Sequence, residues 1–235
     1  VPAQKRDARD TLPNAALVAM CASATGSVMG YDEIYPKLID LVHEKRLYTS
    51  AFSGSKKLDA GAGEGGIGGV KRLLNELHTI MGVEGYDETH IHHDGEYITV
   101  HRVHPKTRKG IFLIAHTTFP GNESGSILAP THISGTQAKH IGSWVLEVDA
   151  GDDTKAKVSR DDKYLKGLPS HTRDIDATRI EGDGKDVTIS VLDTFVPGSI
   201  ALFETWIPGA EHATGLDNFL SSGADEAFSD LSLVD

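Results

Sequence analysis

A short run of residues with chemistry-bearing side chains follows the first apolar segment of the chain. Residues 26–33 read Gly-Ser-Val-Met-Gly-Tyr-Asp-Glu, so an aromatic ring is followed directly by two carboxylates. If residues 27–29 form a barrel strand, then Tyr31, Asp32 and Glu33 stand at its C-terminal mouth, where (β/α)8 enzymes place the groups that handle substrate. The alternative is a polar strand end that only fills a turn.

Several histidines lie close together in the sequence, which raises the question of a metal site. A zinc site needs three or four ligands that converge at ~2.0–2.3 Å, and the spacing His-x-His supplies at most two of them from one strand. No carboxylate is placed in the sequence to orient such ligands. We therefore expect structural or solvent-facing histidines and no metal, with a metal-binding protein as a remote alternative. The residues concerned are His90, His92, His93, His101, His104 and His116.

A glycine-rich segment matches the dinucleotide-binding pattern G-x-G-x-x-G twice, once from Gly61 to Gly66 and once from Gly63 to Gly68. That pattern requires a hydrophobic strand immediately before it. The preceding residues 53–59 are Ser-Gly-Ser-Lys-Lys-Leu-Asp, which is no such strand. We therefore predict a loop that leads into a helix, and we expect no cofactor.

Two helices are predicted in the first third of the chain. Residues 11–24 form an apolar segment that Asp10 or Thr11 can cap, with Pro13 tolerated in the first turn. Residues 70–81 repeat apolar side chains every three or four positions, which predicts an amphipathic helix. Gly82 is its predicted C-terminal cap.

Strand patterns dominate the rest of the chain. Residues 86–118 predict three antiparallel strands, with a turn at Asp94-Gly95 that pairs Ile91 with Ile98. Further strands are expected near 141–149, 173–181, 186–194 and 198–207, which together indicate a β-sandwich-like region. Trp144 and Trp206 fall on these strands, and we interpret both as core residues rather than as sugar-binding platforms. The adjacent carboxylates at 152–153 and 161–162 are interpreted as solvated loop charges.

Composition excludes several classes of protein. The 235 residues include 23 Lys and Arg against 34 Asp and Glu, a net charge of -11, which argues against nucleic-acid binding. No apolar run approaches the length of a membrane helix, so no membrane partner is expected. Cys21 is the only cysteine, so neither an internal disulfide nor a cysteine-based zinc site is possible. Because the chain starts with Val1, we expect a piece of a longer polypeptide or a processed end.

Three patches of sequence carry a family resemblance. The segment Met-Gly-Tyr-Asp-Glu at 29–33, then Pro36, then Glu-Lys-Arg-Leu-Tyr-Thr at 44–49 resembles the eukaryotic glycogen debranching enzymes. The segment Val-Pro-Gly-Ser-Ile-Ala-Leu-Phe at 196–203 resembles a Ser-Pro-Gly-Ser strand of the same family. Residues 66–82 and the strands beyond them look like the central region of those enzymes.

The resemblance implies a fold class and a function. The chain would be an α+β fragment, with the last α/β unit of an amylase-like (β/α)8 barrel at 1–50, a glycine-rich loop and helix at 51–85, and a mostly antiparallel β-sandwich-like central region at 86–235. The parent would be cytoplasmic. It would transfer short maltosyl chains (4-α-glucanotransferase) and hydrolyse α-1,6-linked glucose stubs (amylo-α-1,6-glucosidase), with glycogen or limit dextrin as substrate.

The resemblance brings no catalytic residue to this chain. The last catalytic Asp of the amylase-like barrel belongs to a His-Asp motif, which would precede Val1; His93-Asp94 instead falls on the predicted hairpin turn. Tyr31, Asp32 and Glu33 remain candidate contacts to glucan, through ring stacking and hydroxyl hydrogen bonds. We therefore expect a structural fragment that is inactive alone and contacts the remaining domains of its parent. The alternatives are a carbohydrate-binding β-sandwich, for which an exposed tryptophan would be the sign, and a pure spacer.

Overall fold

The helices of this chain frame a β-rich body. The computed structural model describes residues 8–24, 67–93, 97–117, 131–134, 137–148, 156–162, 171–172, 178–182, 186–191, 195–209 and 215–222. Within these ranges α1 spans Thr11–Met20, α2 spans Ile67–Glu84 and α3 spans Gly215–Ser222, and a 3-10 turn at Ala8–Asp10 precedes α1. None of these helices combines the length and apolarity needed to span a bilayer.

The strands form two sheets. One sheet has the order β1-β2-β3-β10-β5-β6-β7 and the other the order β4-β9-β8, and every pair is antiparallel except β6 with β7. The strands are β1 (Asp87–His93), β2 (Tyr97–Val103), β3 (Gly110–His116), β4 (Thr131–Ser134), β5 (Gln137–Val148), β6 (Ala156–Asp162), β7 (His171–Thr172), β8 (Thr178–Glu181), β9 (Asp186–Val191) and β10 (Ser199–Trp206).

Two apolar cores lie on opposite faces of the seven-stranded sheet. The helix-side core joins α1, α2 and α3 to residues such as Leu113 and Leu202. The inter-sheet core joins Phe112 and Phe203 to Ile189 of the small sheet. Because successive side chains of a strand point to opposite faces, β3 and β10 contribute to both cores and are almost entirely buried.

Helix α1 belongs to the helix-side core. Leu12, Ala16 and Met20 are buried against the sheet, and Pro13 lies in the first turn as predicted. Asp10 occupies the N-cap position without a side-chain hydrogen bond to the helix. The helix ends at Met20, four residues before the predicted end, because Cys21 adopts an extended backbone.

Helix α2 ends beyond the predicted cap. Gly82 lies inside the helix, and Gly85, with a φ of 74°, is the residue that terminates it. The Tyr86 N–H donates to the Met81 carbonyl at 2.8 Å, which is the bond that closes a helix end around a left-handed glycine. The prediction of Gly82 was therefore wrong, because sequence periodicity does not report the backbone angles that a cap requires.

The first hairpin has a different register from the one predicted. Ile91 pairs with Val100, and His93 pairs with Ile98. The shift is two residues, which preserves the predicted alternation of the paired backbone positions 90–93, since faces alternate with a period of two. The register is irregular between Glu88 and His90. The predicted turn residues Asp94 and Gly95 lie outside the described residues.

The β-rich, mostly antiparallel class is confirmed, but the helices that cover one face of the large sheet make it more than a two-sheet sandwich. Strands β4 and β6 were missed, and Asp161 and Asp162, interpreted as loop charges, lie on β6. The assignment of residues 1–50 to a barrel stays a prediction. Most of those residues lie outside the described ranges, and α1 packs against the β-rich body.

Candidate functional site

The predicted glucan contacts Tyr31, Asp32 and Glu33 lie outside the described residues. The structure does describe the point from which the chain leads toward them, the C-terminal end of α1. There His78 of α2 donates from Nδ1 to the Ala19 carbonyl at 2.9 Å. This hydrogen bond connects the end of α1 to α2, and a second connection comes from β1.

The second connection is a hydrogen bond to the carboxylate of Glu88. Glu88 of β1 accepts a hydrogen bond from the Ala22 backbone N–H, just after α1 ends. The last carbonyls of a helix favour cations nearby, so a carboxylate here is held by its backbone donor rather than by the helix dipole. The chain therefore leaves α1 from a position fixed on two sides.

A buried arginine lies in the same region. Arg102 of β2 is 1% exposed, and its Nη2 donates to the Tyr86 carbonyl at 2.9 Å. Burial lowers the pKa of Arg102, and the negative charge of Glu88 is the largest effect that opposes this. Ile98, Val100 and Arg102 alternate along one face of β2, so this cation on an apolar face was detectable in the sequence, although it was not singled out there.

The described histidines make hydrogen bonds that hold strands and turns in place. His101 hydrogen-bonds through Nε2 with the Thr205 hydroxyl at 2.8 Å, and His116 donates from Nδ1 to the Phe195 carbonyl at 2.8 Å. Nδ1 of His104 accepts the backbone N–H groups of residues 106 and 107 at 3.3 and 3.1 Å, which closes the β2–β3 turn. Across the described ranges, no three His, Cys, Asp or Glu side chains come together in a way that could hold a metal ion.

A second charged cluster was missed by sequence reasoning. Lys109, at the start of β3, pairs with Glu204 of β10 at 3.1 Å and also with Asp217 of α3. Its side chain is 4% exposed, so the ammonium is removed from water and depends on both carboxylates. The cluster joins the residue before β3 to β10, 95 residues further along the chain, and to α3 beyond it, a separation that no local pattern reveals.

The two tryptophans have different environments. Trp144 is 0% exposed and lies in the helix-side core, so its interpretation as a core residue is confirmed. Trp206, the last residue of β10, is only partly buried. The two tryptophans therefore differ in burial.

Comparison of the sequence with known proteins shows which class of protein the chain resembles. Residues 66–235 match the family described as the central domain of human glycogen debranching enzyme. The chain is also 42% identical over 240 residues to a protein named glycogen debranching enzyme from Saccharomyces cerevisiae (strain ATCC 204508 / S288c). That similarity covers 99% of this chain and 15% of the yeast relative.

The β-rich body with α2 and α3 thus falls within a central domain of that type, and α1 precedes the matched residues. The chain belongs to the glycogen debranching enzyme family. The resemblance seen at residues 26–49 and 196–203 is confirmed by these matches. The second patch lies at the start of β10, where the Gly198 backbone hydrogen-bonds with His116 of β3 and Leu146 of β5.

Proposed function

We propose that this chain is a non-catalytic scaffold inside a cytoplasmic debranching enzyme. The parent transfers short maltosyl chains between branches of glycogen and hydrolyses the α-1,6-linked glucose that remains. Both activities act on glycogen or limit dextrin. Tyr31, Asp32 and Glu33 are the proposed contacts to glucan, and the remaining domains of the polypeptide supply the reacting groups.

This proposal is supported by the contacts that four carboxylates make in the described part of the chain. A retaining transferase needs one carboxylate as nucleophile and a second as general acid and base, ~5–5.5 Å apart. In the described part of the chain, Glu84 and Glu88 accept backbone N–H groups, and Glu204 and Asp217 neutralise Lys109. These four carboxylates hold elements together, which supports a structural role.

The test compares the isolated chain with the full polypeptide that contains it. We expect the 235 residues alone to release no glucose from limit dextrin and to transfer no maltosyl units between maltooligosaccharides. Measurable product above that of a heat-denatured sample would overturn the proposal.

A pair of variants in the full polypeptide tests the scaffold role itself. Trp144→Ala removes a fully buried ring and should lower the folded fraction, while the folded enzyme keeps its KM. Val83→Ala, at a side chain that is 82% exposed, is the matched control and should change neither quantity. A loss of kcat in fully folded Trp144→Ala protein would contradict a purely structural role.

A further inference from the structure

The residues on one face of β10 are buried in the first half of the strand and partly exposed at its C-terminal end. Ile200 and Leu202 are buried in the helix-side core, and Glu204 and Trp206 follow them on the same face of the strand. Both of these last residues are partly exposed. Trp206 therefore keeps part of its surface in solvent at the end of the sheet face that the helices cover.

The neighbouring strand places polar residues opposite Trp206 and Glu204. Trp206 pairs with Gln137 of β5, and Glu204 pairs with Lys139. Ala138, between those two β5 residues, packs against the inter-sheet core, so Gln137 and Lys139 share the face of Trp206. Gln137 is half-buried and Lys139 is exposed.

Among the described residues, the charges on this side of the sheet include both signs. Lys109 forms ion pairs with Glu204 and Asp217, whose side chains are 12% and 24% exposed, and Lys139 lies opposite Glu204 in the strand register. These charges do not favour one sign of ion, so a neutral ligand fits this surface. A partly exposed tryptophan beside an amide and charged hydrogen-bonding groups combines an apolar stacking face with donors and acceptors for hydroxyls.

We propose that Trp206, with Gln137 and Lys139 beside it, is a glucan-binding subsite. A glucose unit of an α-1,4-linked chain stacks its C–H face on the indole, and the side chains of Gln137 and Lys139 hydrogen-bond its hydroxyls. The subsite rests on the proposed function, because that function supplies polymeric glucan to this surface. It adds a contact that only a substrate several glucose units long can use.

The test separates long from short substrates. In the full polypeptide, Trp206→Ala should raise the KM for limit dextrin roughly three- to tenfold, the loss expected for one stacked ring, with kcat unchanged. The KM for maltotriose should stay the same. Trp206→Phe keeps an aromatic face and should retain most of the affinity. Co-sedimentation with glycogen, measured without turnover, should weaken in the same order.

Each other outcome overturns the subsite. Unchanged KM and co-sedimentation would show that the indole does not touch glucan. An equal rise in KM for maltotriose, or a lowered melting temperature, would show that Trp206 instead packs against another part of the parent. If Trp206→Ala fails to fold, Gln137→Ala, which keeps the ring, must still weaken glycogen co-sedimentation.

The result is distinguishable from failure of the proposed function. A full polypeptide without transferase or glucosidase activity would overturn that function. Glycogen co-sedimentation of the Trp206 variants reports on the subsite in either case.

Discussion

Gly198 is a position where a single added methyl group should disturb both the backbone conformation and the packing. It has a φ of 92°, and a Cβ built on it would lie 2.9 Å from Cβ of Arg9 and 3.1 Å from the Leu146 carbonyl oxygen. Its own backbone donates to the His116 carbonyl at 2.8 Å and accepts from the Leu146 N–H at 3.0 Å. The backbone therefore cannot move aside without breaking the link between β10 and its neighbours.

The magnitude of Gly198→Ala follows from three contributions. A positive φ costs a side-chain-bearing residue about 1–2 kcal/mol. Overpacking against backbone and Cβ atoms adds about 1–3 kcal/mol. The reduced entropy of the unfolded chain offsets about 0.4–1 kcal/mol of this. We expect a net loss of about 2–4 kcal/mol in the free energy of unfolding, which lowers the melting temperature by about 4–16 °C.

Two other glycines provide matched controls. Gly85 has a φ of 74° with no atom within 4 Å of a built Cβ, so Gly85→Ala should show the backbone cost alone, about 1 kcal/mol. Gly82 is helical with open space around it, so Gly82→Ala should stabilise by about 0.5–1 kcal/mol.

Urea unfolding followed by circular dichroism measures all three variants. Equal losses for Gly198→Ala and Gly85→Ala would refute the steric part of the reasoning. A stabilising Gly198→Ala would refute all of it.

Two further predictions concern buried lysines. Burial lowers the pKa of Lys71 below 10.5, so its charge destabilises the fold in full below the lowered pKa, and this penalty is lost as the pH rises through the lowered pKa toward 10.5. Lys71→Met should therefore raise the free energy of unfolding at pH 7, and denaturation series at increasing pH should show the gain shrinking; a constant gain would contradict the titration. Lys109→Met leaves Glu204 and Asp217 facing each other and should cost about 2–4 kcal/mol by thermal melting. Lys106→Met, an exposed control on the same turn, should change stability by less than about 0.5 kcal/mol, and equal effects at the two lysines would argue against the cluster.

The sequence predicted elements where the periodic signal was long. Helix α2 and the strands of 86–118 were predicted because their apolar side chains repeat with a clear period of 3.6 or 2. Strand β6 was missed because Ala156–Asp162 is mostly polar, and only its pairing with β5 makes it a strand. The hairpin register was missed by two residues because alternation is satisfied equally well by both registers.

The candidate site, like the fold, was predictable from the sequence only in part. Residue types and family resemblance nominated Tyr31, Asp32 and Glu33, and they stay a prediction. The difference between Trp144 and Trp206 could not be predicted, since both stand on strands with similar local patterns. Trp144 joins the helix-side core, whereas Trp206 is the last residue of its strand and is only partly buried.

The sequence by itself determined the β-rich class, the family and the main elements, because these depend on local periodicity and on short motifs. Only the tertiary structure decided which polar groups meet. Lys109, Glu204 and Asp217 come from three separate elements, and Gly198 meets Arg9 across almost the whole chain. Such contacts follow from strand order and helix packing, which are set by the burial of all apolar faces together and by no single segment.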